Sequence, residues 1–178
     1  MPESTPDPSH LFPRDAFADV IEANRLFAQS FSDEGLTGRA ARGLAVVTCM
    51  DSRINPLALL GMRAGDVKIL RNAGARVTDD VLRTLVLATY LLNVNRVLVI
   101  AHTECKMASV SEGQIHDLIK AEFGVDTRSQ HFGVISDQNE TLATDLTRIR
   151  SHPLLPPTLI VGGAVYDVRT GTLNPLDA

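Results

Sequence analysis

Two short apolar runs, each ending in a soft metal ligand, constrain this chain more than any other feature. Gly43-Leu44-Ala45-Val46-Val47-Thr48 runs into Cys49-Met50-Asp51-Ser52-Arg53, and Arg96-Val97-Leu98-Val99-Ile100-Ala101 runs into His102-Thr103-Glu104-Cys105. Runs of this length, rich in β-branched residues, read as buried strands of a parallel sheet. Sites in open α/β sheets form where such strands end. Cys49, His102 and Cys105 then converge as a Cys₂His set. Three protein ligands leave a tetrahedral zinc one open position, the catalytic arrangement, whereas structural zinc takes four.

Other readings of the same residues stand beside this one. Free cysteine is among the most buried residue types, so a lone Cys at a strand end is commonly core. The chain has two cysteines, which could instead be bonded to each other or be unrelated buried thiols. A disulfide leaves His102 without a role and the Asp51 and Arg53 charges unexplained. His-x-x-Cys alone is a weak signal. Joined to Cys-x-Asp-Ser-Arg after a second strand, it is specific.

Length and charge narrow the partners. At 178 residues the chain suits one domain around one core, and 44% hydrophobic residues are enough to bury it. A formal charge of −4 without a basic cluster removes the electrostatic footprint of nucleic-acid or anionic-membrane binding. No apolar stretch reaches the roughly 18 residues that span a bilayer. The acidic, proline-rich start, Met1-Pro2-Glu3-Ser4-Thr5-Pro6-Asp7-Pro8, is unlike a signal peptide. Two thiols reserved for metal suit a reducing compartment, so the expected location is cytoplasmic.

The remaining pattern alternates helix and strand. Residues 1–13 carry four prolines and read as a flexible N-terminal arm, with a single α/β catalytic domain over 14–178. Phe17, Val20, Ile21, Leu26 and Phe27 keep helical spacing from Asp15 to about Phe31. A short helix is expected at Pro56–Met62 and a strand at Val67–Leu70. Thr78 with Asp79 and Asp80 opens a helix to Leu92, apolar nearly all round and so expected to be sandwiched. Ser111-Glu112-Gly113-Gln114 has capping-box spacing for a helix ending at Gly124, and Asp137 starts another that Pro153 breaks. Thr158–Val161 and Ala164–Val168 read as a closing strand pair with Gly162-Gly163 between them. Strands alternating with helices give an α/β fold with a mainly parallel sheet.

The motif pair resembles the zinc signature of the β-class carbonic anhydrases. Gly61-Met62-Arg63-Ala64-Gly65-Asp66, Arg71-Asn72-Ala73-Gly74-Ala75 and Val165-Tyr166-Asp167-Val168-Arg169-Thr170-Gly171-Thr172-Leu173 agree in order and spacing. The resemblance covers roughly residues 15 to 175. The short length and the His-Thr-acidic-Cys form are similar to the compact branch that also holds carbonyl sulfide hydrolases and resembles the carbon disulfide hydrolases. It implies one Zn²⁺ per chain on Cys49, His102 and Cys105. It also implies an Asp51–Arg53 dyad that orients the nucleophilic water, with Asp51 able to become the fourth zinc ligand in a closed state. Asn72, Ala73 and Gly74 would lie beside the metal as a substrate-binding loop. The implied reaction is reversible CO₂ hydration, with hydrolysis of carbonyl sulfide or carbon disulfide, releasing H₂S, as the alternative on the same site. A zinc-binding protein without turnover is the third reading. The N-terminal helix is expected to pack on a partner in a homodimer or higher homo-oligomer. One departure is Lys106, where the family usually has glycine after the second Cys.

Overall fold

The computed structural model describes residues 12–176, so most of the expected arm over 1–13, His10 included, lies outside the described residues. Two compact units divide between Leu36 and Thr37. In the first, a 3₁₀ turn at Arg14–Phe17 leads into α1 (Ala18–Gln29). Its apolar positions Phe17, Val20, Ile21, Leu26 and Phe27 are all exposed.

The second unit is a five-stranded sheet. Its strands are β1 (Leu44–Cys49), β2 (Val67–Asn72), β3 (Arg96–His102), β4 (Ile160–Tyr166) and β5 (Leu173–Pro175). Their order is β2-β1-β3-β4-β5. The first four are parallel, and β5 returns antiparallel on β4. The α/β expectation therefore holds, with helices α2 (Pro56–Leu59), α3 (Asp79–Leu91), α4 (Glu112–Phe123) and α5 (Gln138–Arg150) in the crossovers.

Local chemistry sets the helix boundaries. Thr78 accepts the Val81 amide at the start of α3, Ser111 and Gln114 close a reciprocal capping box on α4, and Asp137 accepts the Glu140 amide on α5. Such caps satisfy donors that a helix leaves orphaned. α4 stops at Gly124, whose φ of 69° lies in the left-handed region that glycine tolerates.

Strand alternation sorts the core into two faces. Ala45, Val47, Val97 and Val99 pack with Leu82 and Leu85 of α3 and with Leu142, Leu146 and Ile149 of α5. Leu44, Val46 and Ile100 pack on the opposite face with Leu59, Leu60 and Met62. Every residue of β1 is buried, as expected of a central parallel strand covered on both faces.

One expectation is corrected. The segment read as two strands about Gly162-Gly163 is one strand, β4, paired with β3 from Ile160 to Tyr166. Both glycines lie inside it. A Cβ at Gly163 would lie 2.8 Å from Leu146 Cδ1 and 3.3 Å from Leu142, so glycine there lets α5 approach the sheet. α3, expected to be sandwiched between the sheet and another surface, buries Val81, Leu82, Leu85 and Ala88, while Leu87, Tyr90 and Leu91 are exposed in the single chain.

Candidate metal centre

Parallel pairing of β1 with β3 brings their carboxyl ends side by side, with Thr48 opposite Ile100. Cys49 ends β1, His102 ends β3, and Cys105 follows after a tight reversal in which Glu104 has φ of 57°. The two sulfurs and one imidazole nitrogen all lie within 4.8 Å of one another, and all three residues are buried. Tetrahedral zinc with bonds of about 2.0 to 2.3 Å wants its donors about 3.5 to 3.8 Å apart, a small contraction from that limit. Both cysteines are free, which removes the disulfide alternative.

His102 supplies the strongest local test of the metal reading. Its Nδ1 lies 2.8 Å from the Thr103 carbonyl oxygen, which can only accept, so Nδ1 carries the proton. Its Nε2 is the one buried side-chain polar atom among the described residues with no hydrogen-bond partner. An unpaired buried nitrogen costs roughly 1–3 kcal/mol unless something binds it. Burial pushes the imidazole pKa down, favouring the neutral form that ligates metal. Burial pushes the Cys105 thiol up, and the Cys49 sulfur adds to this against the lowering amides of Met107 and Ala108. Two crowded thiols and an orphaned imidazole lone pair fit a dication that would bind them as thiolates and neutral nitrogen.

Asp51 sits at the edge of this set, its Oδ2 3.9 Å from His102 Nε2. Arg53 grips it three ways. Its backbone N–H and Nε donate to Oδ1 at 2.9 and 3.0 Å, and its Nη2 donates to Oδ2 at 2.8 Å. That guanidinium holds the Asp51 carboxyl far below the usual range, and Asp51 in turn raises Arg53. Arg53 also donates from Nη1 to Glu104 Oε2 at 3.2 Å and from Nη2 to the Glu104 carbonyl at 3.3 Å. Glu104 is also paired with Arg169 of the C-terminal hairpin. Arg71, at the end of β2, donates to the carbonyls of Cys49 and Asp51 and so fixes the backbone between ligand and carboxylate.

The Asn72-Ala73-Gly74 loop also abuts the centre. Asn72 spends its side-chain amide across the turn, accepting from Arg76 N at 2.8 Å and donating to Arg76 O at 2.7 Å. The Gly74 amide donates to Cys49 Sγ at 3.4 Å. Gly74 has φ of 79°, which glycine adopts without strain, and a Cβ there would crowd Ile135 and Met107 at 3.1 and 3.3 Å. Lys106 is exposed and opens a 3₁₀ turn after Cys105.

The sequence reading gave no role to Glu104, Gln138, Arg76 or Asp145. Gln138 Nε2 donates to the His102 carbonyl at 2.7 Å, and Asp145 holds Arg76 at 2.8 Å. No spacing signal links residues so far apart in the chain. Outside the centre, a cleft of about 330 Å³ is bordered by Ala73, Arg76, His131, Phe132 and Arg148. Each of its three basic residues already faces a carboxylate, of Asp145, Glu112 and Asp79 respectively.

A parallel α/β sheet carrying a Cys-His-Cys donor set and an arginine-held aspartate at its strand ends defines a class of metal-dependent enzyme. Comparison with known proteins gives the family. Residues 44–173 match the carbonic anhydrase family model. β-Carbonic anhydrase 1 of Mycobacterium tuberculosis is 33% identical over 157 residues, covering 88% of this chain and 94% of that protein. A carbon disulfide hydrolase of Acidithiobacillus thiooxidans is 32% identical over 154 residues, covering 75% of this chain and 77% of that protein. The crystal structure of carbonic anhydrase from Streptococcus mutans superposes with a TM-score of 0.86 at 35% identity, covering 90% of this chain and 97% of that one. The chain belongs to the β-carbonic anhydrase family, and that family's relatives include carbon disulfide hydrolases.

Proposed function

We propose that the protein catalyses the reversible hydration of CO₂ to bicarbonate and a proton, with one zinc ion per chain held by Cys49, His102 and Cys105. One juxtaposition carries the reading: three buried soft donors, one of them an orphaned nitrogen, beside an ionised carboxylate 3.9 Å from that nitrogen. Zinc held by Cys49, His102 and Cys105 would supply a Lewis acid able to bring the pKa of a water there from about 15.7 toward neutrality.

The chain's own residues then do the orienting. Ionised Asp51 can only accept hydrogen bonds, so it takes one from the attacking water and turns a water lone pair toward the substrate carbon. Arg53 keeps that carboxylate ionised and engaged through three donors. Attack forms one C–O bond, moves one C=O electron pair onto oxygen, and releases one proton to solvent. The Asn72-Ala73-Gly74 turn forms the wall beside the substrate, with Gly74 already committed to the Cys49 sulfur. In the closed alternative, Asp51 would leave Arg53 and become the fourth zinc ligand.

The same centre suits carbonyl sulfide or carbon disulfide, because these linear triatomics carry an electrophilic carbon and the valence electron count of CO₂. The relative named carbon disulfide hydrolase, at nearly the same identity as the carbonic anhydrase relatives, favours keeping this second reading. Side-by-side turnover of CO₂, carbonyl sulfide and carbon disulfide by zinc-loaded protein ranks them, with Asp51→Ala as control. Turnover of none of the three, by fully loaded protein, overturns the reading in favour of a zinc-binding protein without catalysis.

The functional unit in this reading is a single catalytic domain over 14–178, in the cytoplasm, assembled as a homodimer or larger. Support for assembly comes from the exposed apolar side chains of α1 and from Leu87, Tyr90 and Leu91 of α3. No helix among the described residues is long and apolar enough to cross a membrane. Sedimentation equilibrium at micromolar protein should give a multiple of the 19.3 kDa chain mass. A monomer would refute the assembly.

A further inference from the structure

Asp145 is buried to 2% exposure in α5, and the reaction as derived above makes no use of it. Its Oδ2 accepts from Arg76 Nε at 2.8 Å and from the Val77 amide at 3.1 Å, and its Oδ1 from Arg76 Nη2 at 3.5 Å. Arg76 in turn donates from Nη1 to the Gly133 carbonyl at 3.0 Å. A carboxylate withdrawn from water this far gains little net stability from its partner, because desolvation offsets the attraction. Such a pair is therefore better explained by what it holds in place.

What it holds is a strained turn. Gly74 and Ala75 have successive φ values of 79° and 59°, and Ala75 is a buried non-glycine residue in the left-handed region. Conformations of that kind persist only where the surroundings over-determine them. Here the turn is closed by Asn72 across to Arg76, and Arg76 and Val77 are tied to α5 by Asp145. Gly74, Ala75 and Asp145 border a cavity of only about 10 Å³, so the turn has little room to relax. The one backbone donor that this turn aims at the centre is the Gly74 amide, 3.4 Å from Cys49 Sγ.

We propose that Asp145, acting through Arg76, is a positioning residue for the metal centre: it holds the Gly74 amide on the Cys49 thiolate. A hydrogen bond to a ligating thiolate lowers the energy of the sulfur lone pairs and fixes the direction in which they point. Partners of this kind typically govern metal affinity by about 10- to 100-fold. The inference rests on the metal reading given above and extends it to a residue 96 positions from the ligand it serves.

Two variants test it. Asp145→Asn keeps an acceptor for the Val77 amide and removes the charge that holds Arg76. The double variant Asp145→Leu with Arg76→Met removes both charges together, a replacement that buried pairs commonly tolerate without loss of fold. Wild type and variants are loaded with cobalt to read the sulfur-to-metal charge-transfer band, and with zinc to read its release to a chelator. Far-UV circular dichroism checks folding independently of both.

The expected result is a folded double variant whose charge-transfer band moves to lower energy and whose zinc affinity falls by about 10- to 100-fold. Asp145→Asn should show the same band shift wherever it folds. A folded double variant with wild-type band position and zinc affinity would overturn the proposal and leave the pair as scaffold. Wild-type protein that binds neither metal would overturn the metal reading itself, a different outcome from unchanged variants on a metal-binding wild type.

Discussion

Gly163→Ala is a decisive perturbation of this fold, because the sequence alone reads Gly162-Gly163 as a break between two strands and the structure runs β4 straight through it. A methyl at Gly163 would lie 2.8 Å from Leu146 Cδ1 and 3.3 Å from Leu142 Cγ and Cδ2. Leu146 is 1% exposed and Leu142 3%, so neither side chain can swing aside into solvent. Overpacking of this kind costs about 1 to 3 kcal/mol. Against that, replacing glycine by alanine at an extended position returns about 0.4 to 1 kcal/mol by restricting the unfolded chain. On mid-range values, about 2 against about 0.7 kcal/mol, the clash wins, for a net loss of about 1.3 kcal/mol and a fall in Tm of about 3 to 5 °C for a chain of this size. Leu146→Ala alone should cost about 2 to 5 kcal/mol as a cavity. In the double variant the new methyl enters that cavity, so the two losses should fall short of additivity by about 1 to 2 kcal/mol. Urea unfolding of zinc-loaded protein, with the four species of the cycle compared at constant m, measures this. A Gly163→Ala protein as stable as wild type, or strictly additive losses, would refute the contact between α5 and β4 on which the argument stands.

Cys49→Ala and His102→Ala should each lose stoichiometric zinc, measured by elemental analysis. They should also lose the chelator-sensitive part of thermal stability, about 2.7 kcal/mol where free zinc is 100-fold above its dissociation constant. Arg53→Met should keep its zinc yet lose about 100-fold in CO₂ hydration by stopped flow, since it releases Asp51 from a three-point grip. Wild-type turnover in that variant would sink the orienting role. Arg53 holds Asp51 ionised through the working range, so the rising limb of activity toward alkaline pH should belong to the bound water. A rate flat between about pH 6 and 9 contradicts this. Burial raises the Glu112 carboxyl, but the amides of Phe132, Val134 and Gly133 outweigh it and lower the pKa overall. Its hold on that loop is therefore complete above the unfolded value of about 4.3 and is lost as pH falls through the lower folded value. The protection factor of the Gly133 amide, taken relative to the intrinsic exchange rate at each pH, should fall over that acid range in wild type and be already low, without that dependence, in Glu112→Gln.

Much of the molecule is legible before any coordinates. The β-branched runs ending at Cys49 and His102 give two buried parallel strands, because only strands covered on both faces tolerate unbroken apolar sequence. Thr78, Ser111 and Asp137 mark three helix starts through side chains that accept orphaned amides. The donor set is legible for the same reason: parallel neighbours bring their carboxyl ends to one edge, so ligands at both strand ends meet.

Other features were decided by tertiary contact. Gly162-Gly163 carries the local signature of a turn, and only the approach of Leu142 and Leu146 makes it a strand interior. The apolar residues around α3 call for cover on every side, and the single chain covers only the side of Val81, Leu82, Leu85 and Ala88, leaving Leu87 and Leu91 exposed. Asn72 looks available to a substrate in sequence and is committed to Arg76 in space. Sequence by itself determined β1, β2 and β3, the caps and which atoms stand ready to grip a cation, because each follows from neighbours a few residues away. The fold alone decided that Asp145, far along the chain, would anchor the turn that presents an amide to Cys49. Pairings at that separation are set by how helices settle on a sheet, and no local pattern encodes them.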